Sequence, residues 1–432
     1  MKLPAAADLD WIRKFRRALA RRIDPFCALV SEELGKPAFE TLTSDLIPLL
    51  EACRWHERHA RRVLAPRRLL GSSLWRLGQS HFVMRVPVGR VAILATWNYP
   101  IQLLGVQLVQ ALAGGNHVTV KPSERAPRTQ QSLLELAREC GMNEQRLRWT
   151  SAERAEGERL LVREHFDHVV FTGSTEVGRI VAATLARTLT PSTLELSGAD
   201  SALVLGDADP DLAAASILYG VALSAGQTCM APRRAIVHAR VYDSFLRALH
   251  KHARRQRPVA KVCSAEAVRL EHLAREAERA GARRIESGWP LILADCACDC
   301  AFAAGRHFGP ALAVIRADTD AHMLEMHRSC TQRLATSVFT RDPVSAAPLA
   351  AELGSGIVTF NDCVVPTAHP ALGIGGVGES GWGITRGEAG LFALTRPVYV
   401  LRTHARLRLP TDRSDQGTQR RVAAFTRWRY GR

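Results

Sequence analysis

Nowhere in this chain does an apolar run approach the roughly 18 residues that a membrane-spanning helix needs. The first residues, Met1-Lys2-Leu3-Pro4 and onward, contain no apolar signal core ahead of Asp8 and Asp10, so a cytoplasmic location is expected. Cysteine is scarce and irregularly spaced. Ten in 432 residues cannot build a disulfide framework, and free thiols in a reducing compartment are expected. Cys296-Ala297-Cys298-Asp299-Cys300 is the one thiol cluster, but no second Cys or His pair accompanies it as a zinc site requires. It reads as a loop after the strand Leu291-Ile292-Leu293, and no metal is expected. Acidic residues are also few: 42 against 58 basic ones, a formal net charge of +16. Such an excess suits nucleic acid, an anionic membrane surface or an arginine-rich exterior. The basic residues gather in Arg13 to Arg22, Arg58 to Arg68 and Arg402 to Arg432, without zinc-finger spacing or an RNA-recognition signature. An arginine-rich surface is the reading, with no nucleic-acid partner. Internal repeats and low-complexity linkers are absent as well.

What is present is the composition of a globular protein, 47% hydrophobic and 23% charged, long enough for two or three domains. Trp11, Phe15, Leu19 and Ile23 recur at helical spacing, and a second run through Cys27, Val30 and Leu34 ends at Gly35-Lys36-Pro37. Thr43-Ser44-Asp45 is expected to cap a long helix reaching Val63. From Ser80 the pattern is that of strands. Arg90 to Ala95 is nearly all apolar, as a parallel strand buried on both faces would be. Strand and helix then alternate through His117 to Lys121, Thr129 to Cys140 and His168 to Phe171, the pattern of a doubly wound parallel sheet. Further strands are expected at Arg234 to Val237, Leu312 to Ile315, Ala335 to Phe339 and Gly356 to Phe360.

Three stretches carry chemistry. Gly226-Gln227-Thr228-Cys229-Met230-Ala231-Pro232 follows a helical run from Asp211 to Leu223 and sets one thiol at a turn. Cys229 is there either an exposed, rigidly held nucleophile or a buried structural cysteine. Thr172-Gly173-Ser174 joins a strand to a helix and is either a turn that offers N–H groups and a positive dipole end to a pyrophosphate or an ordinary strand-to-helix turn, since glycines at positions one, three and six are missing. Glu195 interrupts an apolar strand: it is either a buried carboxylate with the raised pKa of a general base or a solvent-facing strand residue. A glycine-dense run, Gly373 to Gly383, reads as a loop packed on other backbone or a surface linker.

Seven motifs in order, Pro87–Pro100 (PVGRVAILATWNYP), Lys121–Glu124 (KPSE), Phe171–Gly178 (FTGSTEVG), Leu194–Gly198 (LELSG), Gly226–Pro232 (GQTCMAP), Phe308–Pro310 (FGP) and the glycine run, resemble the aldehyde dehydrogenase superfamily, most closely its short class-3-like members. The resemblance covers nearly the whole chain to about Val400 and implies an α/β fold of two doubly wound parallel-sheet domains plus a small β oligomerisation arm. The implied boundaries are 1–71 and 88–197 for the dinucleotide-binding domain and 198–390 for the catalytic domain. The arm spans 72–87 and 391–410, ahead of a basic tail over 411–432.

The resemblance implies oxidation of a small-molecule aldehyde to its acid through a thiohemiacetal and a thioester. Cys229 would be the nucleophile, Asn98 the oxyanion donor and Glu195 the base that activates water. Lys121 and Glu124 match the adenosine-ribose positions, Gly173 and Ser174 the pyrophosphate turn with Trp97 near it, and Phe308 would lie against the nicotinamide. NAD is expected, with NADP as the alternative, because the Glu124 carboxylate repels a 2′-phosphate. A homodimer through the arm and Val398-Tyr399-Val400 is implied. The tail, where Val422, Phe425 and Trp428 suit a short amphipathic helix, offers a weak contact to an anionic membrane surface. Three departures stand out: Arg306 replaces a glutamate that holds the nicotinamide ribose, Gly373-Ile374 replaces Pro-Phe, and Arg254 to Arg306 is shortened. The competing expectations are a catalytically impaired binding or scaffold protein, supported by Arg306 and the net charge, and a CoA-acylating enzyme, which does not need Glu195.

Overall fold

The computed structural model describes residues 9–70, 78–255, 262–286, 288–404 and 416–431. The chain divides into two units, Met1–Ala65 with Arg85–Pro397, and Pro66–Met84 with Val398–Arg432.

Two sheets form the larger unit. The first runs, edge to edge, Gly381–Trp382, Ser192–Glu195, His168–Thr172, Arg90–Leu94, His117–Lys121, Leu147–Trp149. Its neighbours are parallel except Gly381–Trp382, which lies antiparallel to Ser192–Glu195 with Gly381 opposite Glu195. The second runs Arg283–Glu286, Leu291–Ala294, Ala311–Ala317, Arg234–His238, Ser201–Val204, Ala335–Phe339, Ile357–Phe360. It too is parallel apart from its first strand. The doubly wound α/β expectation therefore holds, with one antiparallel edge strand added to each sheet.

The near-continuous apolarity of Arg90–Leu94 has a direct structural cause. Successive side chains point to opposite faces, so Val91 and Ile93 join the core built on the N-terminal helices, while Ala92 and Leu94 join a second core with Phe171, Val181 and Leu194. Arg234–His238 divides likewise, Ala235 and Val237 to one face and Ile236 to the other. Trp11, Phe15 and Leu19, the stripe expected of Asp10–Arg21, are all buried.

One N-terminal expectation fails. Thr43-Ser44-Asp45 does not cap the helix it leads into: helix Ala38–Thr41 continues through a five-residue π-helical stretch, Leu42–Leu46, into Ile47–Val63. π-Helical turns are rare and concentrate at functional sites. This one carries Asp45 fully into the interior, where Lys36 Nζ donates to its carboxylate at 2.7 Å. The other Asp45 oxygen accepts the backbone N–H groups of Ile101 and Gln102, each at 3.2 Å, at the start of helix Gln102–Ala113. A carboxylate there answers the orphan donors and the positive dipole end.

In the smaller unit, Arg67–Arg68 pairs antiparallel with Gln79–Pro87, whose other neighbour is Thr395–Thr403. The tail forms helix Gln416–Tyr430, on which Val422, Phe425 and Trp428 are all exposed. Residues 71–77 of the expected arm and Arg406, Arg408 and Arg413 of the tail lie outside the described residues. No helix among the described residues is long and apolar enough to cross a membrane.

Asp45→Ala leaves the Lys36 ammonium buried without its counter-ion and two helix-start N–H groups without an acceptor. The expected loss is about 3–5 kcal/mol of stability, read as a fall in the urea midpoint at unchanged m-value.

Candidate functional site

In parallel sheets, ligands gather at the carboxyl ends of the strands. His168–Thr172 ends there in Gly173-Ser174, and Ser174 Oγ caps helix Thr175–Ala186 by accepting from Val177 N at 3.3 Å. The neighbouring strand ends in Glu195, only 3% exposed, so the solvent-facing alternative for this carboxylate is excluded. Gly381 has φ +96° and its absent Cβ leaves room for the Leu194 carbonyl. This close approach is why the glycine run packs on backbone and is not a surface linker.

The thiol arrives by a different route. Helix Pro210–Ala222 is capped by Asp209, then Ser224, Ala225 and Gly226 take positive φ in succession, 52°, 52° and 72°. For Ser and Ala this is strained backbone, which persists only where surroundings over-determine it. Those surroundings are visible: Glu40 Oε2 accepts from Ser224 N at 2.9 Å, and Gly226 leaves room for the Gly309-Pro310 backbone. Tyr99 OH pairs with Thr228 Oγ1, and the fully buried Arg233 donates to the carbonyls of Thr228 and Gly309, each at 2.9 Å. Arg233 thus ties the Cys229 turn to the Phe308 segment.

Both approaches meet in a cavity of about 410 Å³ running from Gly173 and Ser174, past Trp97 and Phe308, to Asn98, Glu195 and Cys229. Cys229 Sγ lies 4.0 Å from Glu195 Oε1. Asn98 Nδ2 donates to the Gln227 carbonyl at 3.0 Å, Thr96 Oγ1 donates to Asn98 Oδ1 at 3.1 Å, and Lys36 Nζ donates to the Asn98 backbone carbonyl at 2.7 Å. The amide has a second N–H beyond the one used on Gln227. Of the residues singled out from sequence, Lys121 and Glu124 stand outside this lining, joined to each other by a 3.0 Å ion pair after strand His117–Lys121.

Burial sets the electrostatics. It pushes the Glu195 carboxyl above its ordinary pKa, with the Arg386 guanidinium and the Thr385 hydroxyl, 3.4 Å away, pulling back. It raises the Cys229 thiol strongly, and the negative charges of Glu195 and Asp200 raise it further against Arg386. Asp200 is pushed up to about 7 by burial, although it accepts from the Ala335 and Leu334 N–H groups at 2.8 and 3.0 Å. Arg386 is itself buried, donating to the Thr367 carbonyl at 3.0 Å, and sits at φ +68°. Reading the chain missed Arg386, Asp200, Arg233 and the Lys36–Asp45 pair. Only Arg233 left a signal, a charged residue directly beside the apolar strand Arg234–His238.

The departures are also placed. Arg306 lines the cavity and donates to Glu379 Oε2 at 3.3 Å; Glu379 also holds Arg179 and, at 2.6 Å, Thr331. Ile374 packs with Met230 and Leu334 against Cys229. The shortened stretch supplies Glu266, whose Oε1 accepts from Phe308 N at 2.7 Å. His307 and Gln332 line the cavity with buried atoms that lack hydrogen-bond partners, both imidazole nitrogens and Oε1. The helix start at Ser174 and the two aromatic rings of Trp97 and Phe308 fit a large polar ligand such as a dinucleotide.

The family model described as aldehyde dehydrogenase family matches residues 1–400. The chain belongs to the aldehyde dehydrogenase family. Among its relatives, the 4,4'-diapolycopene aldehyde oxidase of Methylomonas sp is 28% identical over 421 residues, 94% of this chain and 79% of that one. Vanillin dehydrogenase of Pseudomonas sp. (strain HR199 / DSM 7063) is 32% identical, covering 71% of this chain and 68% of its own length. The substrate-bound aldehyde dehydrogenase of Staphylococcus aureus superposes with a TM-score of 0.87 at 25% identity, covering 96% of this chain and 94% of that one. Aldehyde dehydrogenases use NAD(P), and the cavity suits that cofactor.

Because the Cys229 thiol is held above its ordinary range, its carbamidomethylation by iodoacetamide is expected to run slower than that of free cysteine at pH 8 and to keep rising beyond pH 9. Arg386→Met removes the cation favouring the thiolate and moves the profile further toward alkaline pH. Peptide mapping by mass spectrometry reads the rate at this one cysteine; a profile unmoved by the substitution contradicts the assignment of Arg386.

Proposed function

We propose that this aldehyde dehydrogenase oxidises an aldehyde to its carboxylic acid by covalent catalysis at Cys229. The observation that carries the reading is the meeting of Cys229, Glu195 and Asn98 in one cavity that continues to the Gly173-Ser174 turn. Glu195 takes the thiol proton, across the 4.0 Å gap or through one water, and the sulfur bonds to the aldehyde carbon. Negative charge then develops on the aldehyde oxygen, where the second Nδ2 hydrogen of Asn98 and the backbone N–H of Cys229 receive it. A nicotinamide bound beside Phe308 supplies the hydride acceptor. Glu195, whose raised pKa suits a base near neutrality, releases that first proton to solvent once the thioester has formed, then removes a proton from the water that cleaves the thioester and returns it to the departing sulfur to restore the thiol. This use of Glu195 favours hydrolysis over transfer to coenzyme A.

Gly173 and Ser174 would hold the pyrophosphate, and Lys121 with Glu124 the adenosine ribose. Glu124 disfavours a 2′-phosphate, so NAD is the preferred cofactor. On this reading the sheet containing Glu195 belongs to the dinucleotide domain, 1–71 and 88–197, and the sheet beyond it to the catalytic domain, 198–390. The apolar cluster of Met230, Leu334 and Ile374 beside Cys229 points to an apolar aldehyde, in keeping with relatives named for geranial and vanillin. Thr395–Thr403 has one strand neighbour and exposes Tyr399 and Leu401, which suits a homodimer contact over 391–410. Helix Gln416–Tyr430 contains no acidic residue and exposes Phe425 and Trp428, which suits a weak contact with anionic lipid.

NADH formation at 340 nm with a panel of aliphatic and aromatic aldehydes is the test. Cys229→Ala is expected to abolish turnover, and full activity in that variant overturns the mechanism. Glu195→Gln is expected to slow the first turnover of NADH, in which the thiol proton is taken, and to slow steady-state turnover further, by about 10²–10⁴. Equal loss of burst and steady state would place Glu195 before the thioester only.

A further inference from the structure

The inference rests on the dinucleotide reading above and concerns Arg125, the residue after Glu124. Its guanidinium carbon stands 3.4 Å from the centroid of the Trp97 ring. Trp97 in turn meets Phe308 edge to face, centroids 5.7 Å apart at 77°. Both rings line the cavity that begins at Gly173 and Ser174, whereas Arg125, like Lys121 and Glu124, stands next to that lining and is not part of it. Only the backbone N–H of Arg125 has a hydrogen-bond acceptor, Ser123 Oγ at 3.3 Å. No acceptor among the described residues takes a hydrogen bond from its guanidinium, and Lys121 occupies the adjacent carboxylate of Glu124.

The other arginines around the cavity are engaged. Arg306 is on Glu379, Arg269 donates to the Arg306 carbonyl, Arg233 to Thr228 and Gly309, and Arg386 to Thr367. A guanidinium lying on an aromatic face keeps its N–H donors in its own plane, directed at the rim of the ring. That planar fork matches phosphate oxygens, and stacking removes in advance part of the rotamer freedom that binding would otherwise cost.

We propose that Arg125, pre-oriented on Trp97, binds a phosphate group of the dinucleotide. The two sources of that phosphate are the pyrophosphate shared by NAD and NADP and the 2′-phosphate of NADP alone. The position of Trp97 in the same cavity as Gly173 and Ser174 favours the pyrophosphate.

Isothermal titration of the full-length protein and of Arg125→Gln, Arg125→Lys and Trp97→Leu with NAD, NADP and adenosine tests this. Arg125→Gln is expected to weaken NAD and NADP alike by roughly 10- to 100-fold, to flatten the salt dependence of their affinity and to leave adenosine binding unchanged. Arg125→Lys is expected to recover part of the loss, and Trp97→Leu to show part of it. Loss confined to NADP identifies the 2′-phosphate as the group held. Unchanged NAD and NADP affinities in Arg125→Gln, or an equal loss for adenosine, overturns the proposal. If that variant still forms NADH from aldehyde, the dehydrogenase reading stands without it; if the parent protein binds neither dinucleotide, both readings fall.

Discussion

The buried pair of Lys36 and Asp45 is the constraint on which the site's geometry depends. Two charges removed from water cost several kcal/mol each unless every hydrogen-bonding position is answered, and here nearly all are. Asp45 takes the ammonium and two helix-start N–H groups; Lys36 gives a second donor to the Asn98 carbonyl and lies 4.0 Å from the Tyr99 ring centroid. One interaction thereby joins the N-terminal helices, the start of Gln102–Ala113 and the turn that presents Asn98. The π-helical stretch Leu42–Leu46 is the local irregularity that brings Asp45 to this place.

From that turn the constraint passes to the thiol. Tyr99 reaches Thr228, Asn98 reaches the Gln227 carbonyl, and Arg233 closes the loop by spanning Thr228 and Gly309. The left-handed backbone at Ser224 and Ala225 is held against its own strain by these contacts, so Cys229 stands at a set distance from both Glu195 and the Phe308 segment. Inside this enclosure the charges are arranged in opposition. Glu195 and Asp200 act against a thiolate while Arg386 favours it, and burial disfavours every charged form. A thiol kept neutral until a partner accepts its proton is protected from alkylation and oxidation, and a carboxylate of raised pKa is the partner able to accept it.

Much of this architecture is legible in the chain. The strands Arg90–Leu94, His168–Thr172, Arg234–His238 and Ala335–Phe339 announce themselves because a parallel strand covered on both faces must be apolar at successive positions. Cys229 and the Gly173-Ser174 turn are recognisable because their neighbours are small residues with a backbone task. The Thr43-Ser44-Asp45 expectation fails for a reason of the same kind: residues that favour caps look identical whether they start a helix or sit in a widened turn whose carboxylate is needed inside. Arg386 leaves no trace, since an arginine beside a glycine in a loop resembles any surface arginine until its burial is known.

The sequence by itself therefore determined the α/β class, the family and the residue types able to do thiol and carboxylate chemistry, because hydrophobic period and turn composition are local properties. Only the tertiary structure decided that Glu195 is buried 4.0 Å from Cys229, that Arg386 faces both, that Glu379 engages Arg306, and that Arg125 lies on Trp97. The physical reason is common to all four. Charge–charge and cation–aromatic energies depend on separation and on local dielectric, and both are created when segments far apart in the chain close around one cavity.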